Sequence, residues 1–236
     1  MRIQRRSWMN KKQTGILLVI IVFVVLIASI FFIQRASEKK GDTFPDLDTA
    51  KVDKVPEDFD YANQPVIGNR DAPVKIVEFT DYKCPSCKKW TETVLPKLDQ
   101  DYIQSGKAAV YVLDYPFLGP DSNLAALAGE TLYQQNHEFF ETYHKLMMEK
   151  QKNEKSNWAT KDFLLNLVKE GIPGADLQQF EKDLDAGTYL QQMKKDKEIG
   201  KRLAIPGTPT IYVNGLPAEN ADYETVKALI EQELAK

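Results

Sequence analysis

The chain contains two cysteines, Cys84 and Cys87, separated by Pro85 and Ser86. They follow a segment typical of a β-strand and stand at the start of a segment with helical spacing. At the start of a helix, a thiolate faces unpaired backbone N–H groups and the positive end of the helix dipole, which lower its pKa and make it nucleophilic near neutral pH. We therefore predict that Cys84 is the attacking thiol and that Cys87, one turn further in, is the thiol that resolves a mixed disulfide.

Three other uses of the cysteine pair compete with redox exchange. A zinc site would need His137 and His144, but these stand seven residues apart on one predicted helix, and there is no second Cys-x-x-Cys. A structural disulfide between residues this close constrains the unfolded chain only weakly. Two unrelated core cysteines would not explain a strand-to-helix turn that bears proline and serine. We favour redox chemistry and expect no metal site at the cysteines; whether a structural cation such as calcium binds among the acidic residues stays open. We expect Lys83, Lys88 and Lys89 to be exposed, screened cations.

Glu78 interrupts an apolar stretch of the predicted strand, six residues before Cys84. A carboxyl group at this point would lie beneath the start of the helix, and burial would raise its pKa. It could then accept the proton of Cys87 when that thiol attacks. The alternative is a solvated glutamate at the edge of the sheet.

A second loop has a sequence suited to a redox site. Pro209 follows a glycine-containing turn and stands at the entry to a predicted strand, where a cis peptide bond is well accommodated. With Pro209 in cis, the backbone of Thr208 could pair with an incoming substrate strand beside Cys84. We expect Thr208, Pro85 and Ser86 to form the substrate-binding surface.

The elements around these residues predict an α/β fold, a sheet domain with an all-helical insertion. The strand, helix and strand that surround the cysteines form a βαβ unit, which predicts a parallel strand pair. We expect strands at 66–67 and 74–80, a helix at 87–105 and a strand at 108–113. Helices then follow from about 121 to 203, with a break near Asn136. The chain continues with a strand at 210–213, a short strand near Leu216 and a last helix capped by Asp222.

An apolar segment precedes the predicted domain. Gly15 to Ile33 is a run of 19 residues without a charge, and as a helix it would span about 28 Å, close to the thickness of a bilayer core. Basic residues without acids precede it, so the positive-inside rule predicts a transmembrane anchor at 15–33 with residues 1–14 in the cytoplasm. A cleaved signal peptide is the alternative. Residues 34–65 are polar and acidic and predict an extracytoplasmic linker that tethers a domain at 66–236.

These motifs together resemble the thioredoxin fold, and in detail the DsbA-like thiol–disulfide oxidoreductases of the membrane-anchored BdbD type found in Gram-positive bacteria. The resemblance covers the chain from about Pro65 onward and rests on Val77–Cys87, Gly207–Thr210 and Asn136–His144. It implies Cys84 as nucleophile, Cys87 as resolving thiol, Glu78 as buried acid and Pro209 in cis. It also implies a redox-active Cys84–Cys87 disulfide with no further cofactor, and a quinone-coupled, DsbB-like membrane oxidoreductase that reoxidises it.

Three functions follow as hypotheses. The favoured one is a monomeric oxidase at the cell membrane that donates its disulfide to reduced exported proteins. An extracytoplasmic reductase or isomerase is the second, and a tethered binding module or chaperone is the third. The net charge of −3 gives no reason to expect nucleic acid as a partner. Strong oxidases of the resembling family carry Pro-His between the cysteines, where this chain has Pro85-Ser86.

Overall fold

The central strand of the sheet is the apolar, β-branched segment that precedes the cysteines. The computed structural model describes residues 20–21 and 44–236. Its strands are β1 (Val66–Ile67), β2 (Val74–Thr80), β3 (Ala108–Asp114), β4 (Thr210–Val213) and β5 (Leu216–Pro217). They lie in the order β1-β3-β2-β4-β5. Strands β2 and β3 pair in parallel and the other pairs are antiparallel, so the sheet is mixed and the predicted βαβ unit is confirmed.

The helix after the cysteines is shorter than the sequence predicted. A single helix at 87–105 was expected, but the structure has α1 (Pro85–Thr93), α2 (Leu95–Leu98) and a π-helical turn at Asp99–Ile103. The break falls at Val94, whose φ of −103° departs from helical geometry. Pro96 follows and has no N–H to donate to the preceding turn, which explains why a continuous helix does not form.

The helical insertion is confirmed. It comprises α3 (Pro120–Gln135), α4 (His137–Glu149), α5 (Lys161–Gly171), α6 (Leu177–Ala186) and α7 (Leu190–Arg202). The predicted break at Asn136 is present, since this residue is extended and its side chain accepts a hydrogen bond from the Glu138 N–H as the N-cap of α4. After the short hairpin, α8 (Tyr223–Leu234) closes the chain, with Asp222 as its N-cap as predicted.

The sheet is covered on both faces by apolar side chains. On one face Ile76 and Val112 pack with Trp90 of α1 and Ile230 of α8. On the other face the members are Phe59, Val77, Phe79, Tyr111, Leu113 and Ile199. A third core lies inside the insertion and includes both cysteines. The cysteine turn is therefore packed between the sheet domain and the insertion.

The linker prediction is wrong from Phe44 onward. Residues 44–236 form one compact unit. Leu47 is 1% exposed in the insertion core, Phe59 packs on the sheet, and the side chain of Gln64 is fully buried. A few apolar residues hold this segment on the core. Their spacing is too irregular to show the period of a helix or a strand. The remainder of the predicted linker, 34–43, lies outside the described residues.

The predicted anchor at 15–33 also lies outside the described residues, apart from the helical pair Ile20 and Ile21. Within the part of the chain that the structure describes, none of the helices combines the length and the apolar character needed to cross a bilayer.

Candidate active site

Cys84 and Cys87 lie at the turn from strand β2 to helix α1. Cys84 is the N-cap residue of α1, with φ −75° and ψ 117°, and Pro85 occupies the first helical position, where its missing N–H costs nothing. Both cysteines are free thiols in this structure. Cys84 is 7% exposed and Cys87 is fully buried, whereas Pro85 and Ser86 are exposed. Only the Cys84 side of the pair is open to a reaction partner.

The surroundings of Cys84 favour its thiolate. A hydrogen bond from the Cys87 thiol, helped by the Thr208 side chain and by the backbone N–H groups of Cys87 and Ser86, lowers the pKa of Cys84 to about 6. Partial burial opposes this shift but does not outweigh it. The helix N-terminus therefore supplies the donors that the sequence predicted, and Cys84 is ionised at neutral pH.

Cys87 and Glu78 have the opposite character. Burial raises the pKa of Cys87 well above its ordinary value, and the hydrogen bond to Cys84 raises it further. Glu78 is buried, as predicted, and its carboxyl oxygens have no hydrogen-bond partner among the described residues. Burial raises the pKa of Glu78 to about 8, with a contribution from the negative charge of Cys84. A neutral thiol and a neutral acid thus lie beneath an ionised thiol, an arrangement that can move one proton.

The loop before β4 faces the cysteines. The Thr208–Pro209 peptide bond is cis, as predicted. The Cys84 Sγ atom lies 3.2 Å from the backbone carbonyl oxygen of Thr208, within hydrogen-bond distance. Thr208 and Pro209 are half-buried, so this loop forms a wall beside the open side of Cys84. The four predicted site features, the cysteines, Glu78, Thr208 and Pro209, are brought together.

Asp81 fixes the turn between β2 and the cysteines. Its Oδ1 atom accepts hydrogen bonds from the Lys83 N–H at 2.8 Å and from the Ser122 hydroxyl at 2.9 Å. Its Oδ2 atom accepts from the N–H groups of Phe117 and Leu118 at 2.9 and 3.0 Å. This one carboxylate joins the turn to the loop after β3 and to the start of α3. No local pattern in the sequence marks Asp81 as important, because its partners other than Lys83 are 36 or more residues away.

Lys83 is not the exposed cation that the sequence suggested. It is 1% exposed, and its Nζ atom lies 2.6 Å from Asp121 Oδ1 in a buried ion pair. Asp121 Oδ2 also accepts from the N–H groups of Trp158 and Ala159. Because each charge is paired and hydrogen-bonded, the desolvation cost is offset, and loss of one partner would leave the other buried and uncompensated.

Comparison with known proteins agrees with this site. A family model described as thioredoxin matches residues 60–232. A "Probable disulfide bond formation protein D" from Bacillus anthracis is 42% identical over 186 residues, which are 79% of this chain and 85% of that protein. The "Disulfide bond formation protein D" of Bacillus subtilis is 38% identical over 172 residues, which are 72% of this chain and 77% of that protein. The chain is a DsbA-like thiol–disulfide oxidoreductase of the thioredoxin family.

A solved structure supports the same assignment. The crystal structure of oxidised BdbD from Bacillus subtilis matches with a TM-score of 0.71 at 36% identity, over 78% of this chain and 100% of that chain. DsbA-like oxidoreductases act through their own cysteine disulfide without a cofactor. In this DsbA-like chain the pair is Cys84 and Cys87, its only two cysteines.

His144, on helix α4, contacts the active-site helix α1 of the DsbA-like domain. It is fully buried on α4, 3.2 Å from the Thr91 hydroxyl of α1 through Nε2 and 3.4 Å from the Tyr82 hydroxyl through Nδ1. Burial lowers the pKa of His144 to about 4, so the imidazole is neutral. His137 is exposed and lies apart from this contact.

A second buried group of acids, which was not predicted from the sequence, lies apart from the cysteines. Asp114, Glu130 and Asp196 offer carboxyl oxygens that all lie within 4.8 Å of one another. The Gln64 amide donates to Asp196 Oδ1 at 2.6 Å, while Gln64 Oε1 and both Glu130 oxygens have no hydrogen-bond partner in the described residues. Burial raises the pKa of Asp114 to about 7 and raises the pKa values of Glu130 and Asp196 well above their ordinary values. Hard oxygen donors in this arrangement could hold a divalent cation such as Ca²⁺.

Proposed function

We propose that this DsbA-like protein is an oxidase that donates the Cys84–Cys87 disulfide to reduced proteins outside the cytoplasm. The observation that carries the proposal is the position of Cys84 Sγ, which faces the helix N-terminus and the Cys87 thiol. These donors stabilise the Cys84 thiolate of the reduced form. A dithiol whose reduced form is stabilised holds its disulfide weakly and is a stronger oxidant.

Donation begins when a substrate thiolate attacks Cys84 Sγ, the more accessible sulfur. The Cys84–Cys87 bond breaks, a mixed disulfide forms between the substrate and Cys84, and Cys87 leaves with the electron pair. Glu78 can supply the proton that Cys87 takes, because its raised pKa keeps it protonated at neutral pH. In the reverse direction Glu78 would accept that proton when Cys87 attacks.

A second substrate thiolate then attacks the substrate sulfur of the mixed disulfide. This forms the substrate disulfide and releases Cys84 as a thiolate, which leaves readily because its pKa is low. Two electrons have passed from the substrate to the cysteine pair. The carbonyl of Thr208 and the exposed Pro85 and Ser86 border Cys84, and we assign them the substrate-binding surface.

We also propose that the chain is held at the cell membrane by residues 15–33, with the N-terminus in the cytoplasm. The support is the uncharged 19-residue run and the basic residues before it. In this location the reduced pair would be reoxidised by a quinone-coupled, DsbB-like membrane oxidoreductase, and the protein would act as a monomer. Protease treatment of intact protoplasts should remove the redox domain, whereas full protection of the domain would contradict this topology.

The direction of electron flow is tested by the redox equilibrium of the full-length protein with glutathione in detergent. We expect a reduction potential well above that of thioredoxin, about −270 mV. A potential at or below that value would overturn the oxidase proposal in favour of a reductase. In the same assay Cys84→Ala should abolish oxidation of a reduced test protein, while Glu170→Ala, at an exposed position on α5 outside the site, should retain it. Full function of Cys84→Ala would instead support a binding module or chaperone.

A further inference from the structure

The carbonyl groups of the cysteine turn have a hydrogen-bond donor from the insertion. The Gln151 side chain lies in the loop after α4, and its Nε2 atom donates to the carbonyl oxygen of Tyr82 at 2.9 Å and to that of Cys84 at 3.0 Å. An amide nitrogen has two hydrogens, so both are used. One side chain thus holds the peptide groups on both sides of the Lys83–Cys84 segment.

The orientation of the Cys84 carbonyl is linked to the geometry around the Cys84 sulfur. This carbonyl also accepts the first helical hydrogen bond of α1, from the Lys88 N–H at 3.1 Å. The orientation of this peptide group follows from ψ of Cys84, which is 117°. The same torsion relates the Cys84 side chain to the N–H groups of Ser86 and Cys87. A hydrogen-bond partner that fixes the orientation of the Cys84 carbonyl therefore also fixes the position of Cys84 Sγ relative to the N–H groups of Ser86 and Cys87.

The loop that carries Gln151 is itself attached to α1. The Lys88 Nζ atom donates to the carbonyl oxygen of Glu149 at 2.9 Å, and the Gln151 N–H donates to the Met148 carbonyl. In helix α4, which precedes this loop, His144 contacts Thr91 of α1. The Gln151 amide thus acts from a segment that is fixed relative to the helix whose N-terminus it serves.

We propose that Gln151 is a positioning residue for the redox reaction. Its amide locks the Cys84 peptide group so that the thiolate faces the N–H groups of Ser86 and Cys87. Gln151 does not touch the reacting sulfur atoms. It makes the disulfide more oxidising because it preserves an arrangement that stabilises the reduced form more than the oxidised form. This inference rests on the proposed oxidase function and adds a determinant from the insertion.

Gln151→Met tests the proposal, because methionine keeps the length of the side chain and removes the donor. Gln135→Met is the matched control. Gln135 is also half-buried, and its amide bonds two backbone groups of Asp176, at 3.0 and 2.9 Å, but none of the cysteine turn. Each variant loses two hydrogen bonds between a half-buried side-chain amide and the backbone, so a general loss of packing would affect both variants.

Two measurements on the full-length protein decide the matter. In glutathione buffers, the ratio of thiol to disulfide at half-oxidation should shift about threefold to tenfold toward a weaker oxidant in Gln151→Met. A tenfold shift corresponds to about 30 mV for this two-electron couple. The thiolate absorbance of Cys84 should titrate at a higher pH in the same variant. Gln135→Met should match the wild type in both measurements.

The proposal is overturned if Gln151→Met matches the wild type, or if Gln135→Met shifts by the same amount. Should Gln151→Met fold poorly, Gln151→Ala removes the same donor and must show the same shift. The comparison is with the wild type, so it remains decisive whatever the potential of the wild type is. A wild type that is itself a reductant would remove the proposed oxidase function and leave the role of Gln151 to be judged by the same difference.

Discussion

The molecule buries carboxyl groups in two places with different consequences. Glu78 is alone beneath the cysteine pair, and burial raises its pKa to about 8. Asp114, Glu130 and Asp196 lie together; burial raises all three pKa values, and repulsion from neighbouring carboxylates, Asp81 in the case of Asp114, adds to the shift. A single buried acid stays neutral by holding one proton and can exchange it with a neighbouring thiol. Three adjacent acids need several protons or a cation, which suits a structural centre better than proton transfer.

The largest expected difference is in how stability depends on pH. The pKa of Glu78 is about 8 in the folded protein against 4.5 as its ordinary value. Between these values the folded protein holds a proton that the unfolded chain has released. The stabilising contribution is therefore complete below about pH 4.5 and is lost as the pH rises from there through 8, at about 1.4 kcal/mol per pH unit and roughly 5 kcal/mol in all.

Glu78→Gln should remove that part of the pH dependence. Denaturant unfolding of the reduced protein at pH 5 and pH 8 measures it as the difference between wild type and variant, in which the titration of the other groups cancels. Glu219→Gln, at an exposed position, is the control and should follow the wild type. Equal pH dependence in wild type and Glu78→Gln would mean that Glu78 is not held neutral.

The next effect is on the rates of the thiol–disulfide exchange steps, and it distinguishes the two acidic sites. Glu78→Gln removes the group that exchanges a proton with Cys87, so release and attack of Cys87 should slow about tenfold to hundredfold at pH 7. Stopped-flow measurement of mixed-disulfide formation and decay would show this. Glu130→Gln removes a carboxyl of similar burial from the other site and should change the rates less than about twofold. Equal slowing of both variants would show that proton transfer is not the reason.

The smallest effect concerns the three-acid site. If these carboxyls hold Ca²⁺, a concentration ten times the dissociation constant stabilises the folded protein by about 1.4 kcal/mol. For a domain of this size that raises Tm by about 3 to 6 °C. Thermal unfolding with Ca²⁺ and with a chelator measures the difference, which Glu130→Gln should lose and Glu78→Gln should keep. A Tm that is indifferent to Ca²⁺ would leave the cluster as protonated acids.

The sequence predicted one of the two acidic sites because its signals are local. Glu78 stands in a strand that leads straight to the cysteines, and Pro209 stands at the entry to another strand. The antiparallel pairing of these two strands, with Glu78 opposite Ile211, brings both residues to the same end of the sheet. Asp114, Glu130 and Asp196 come from a strand end and two insertion helices. Only the tertiary packing of α3 and α7 against β3 brings them together, and no spacing in the chain encodes it.

The same distinction explains the other outcomes. Strands, the insertion and its break at Asn136 follow from periodicity and capping residues, and they were predicted. The burial of Lys83 was not, because its partner Asp121 lies 38 residues later. The segment from Phe44 to Pro65 looked like a tether because its composition is polar, yet a few side chains such as Leu47 and Phe59 are enough to hold it on the core.

The contacts around Cys84 also have a consequence for the order in which the protein is made. Thr208, whose side chain helps to lower the pKa of Cys84, comes 124 residues after it, and Gln151 comes 67 residues after it. While the chain is being synthesised, Cys84 emerges long before either partner exists. Its full thiolate stabilisation must wait for the last part of the chain, so the nascent protein is less prone to trap neighbouring unfolded chains in mixed disulfides before its own domain is complete.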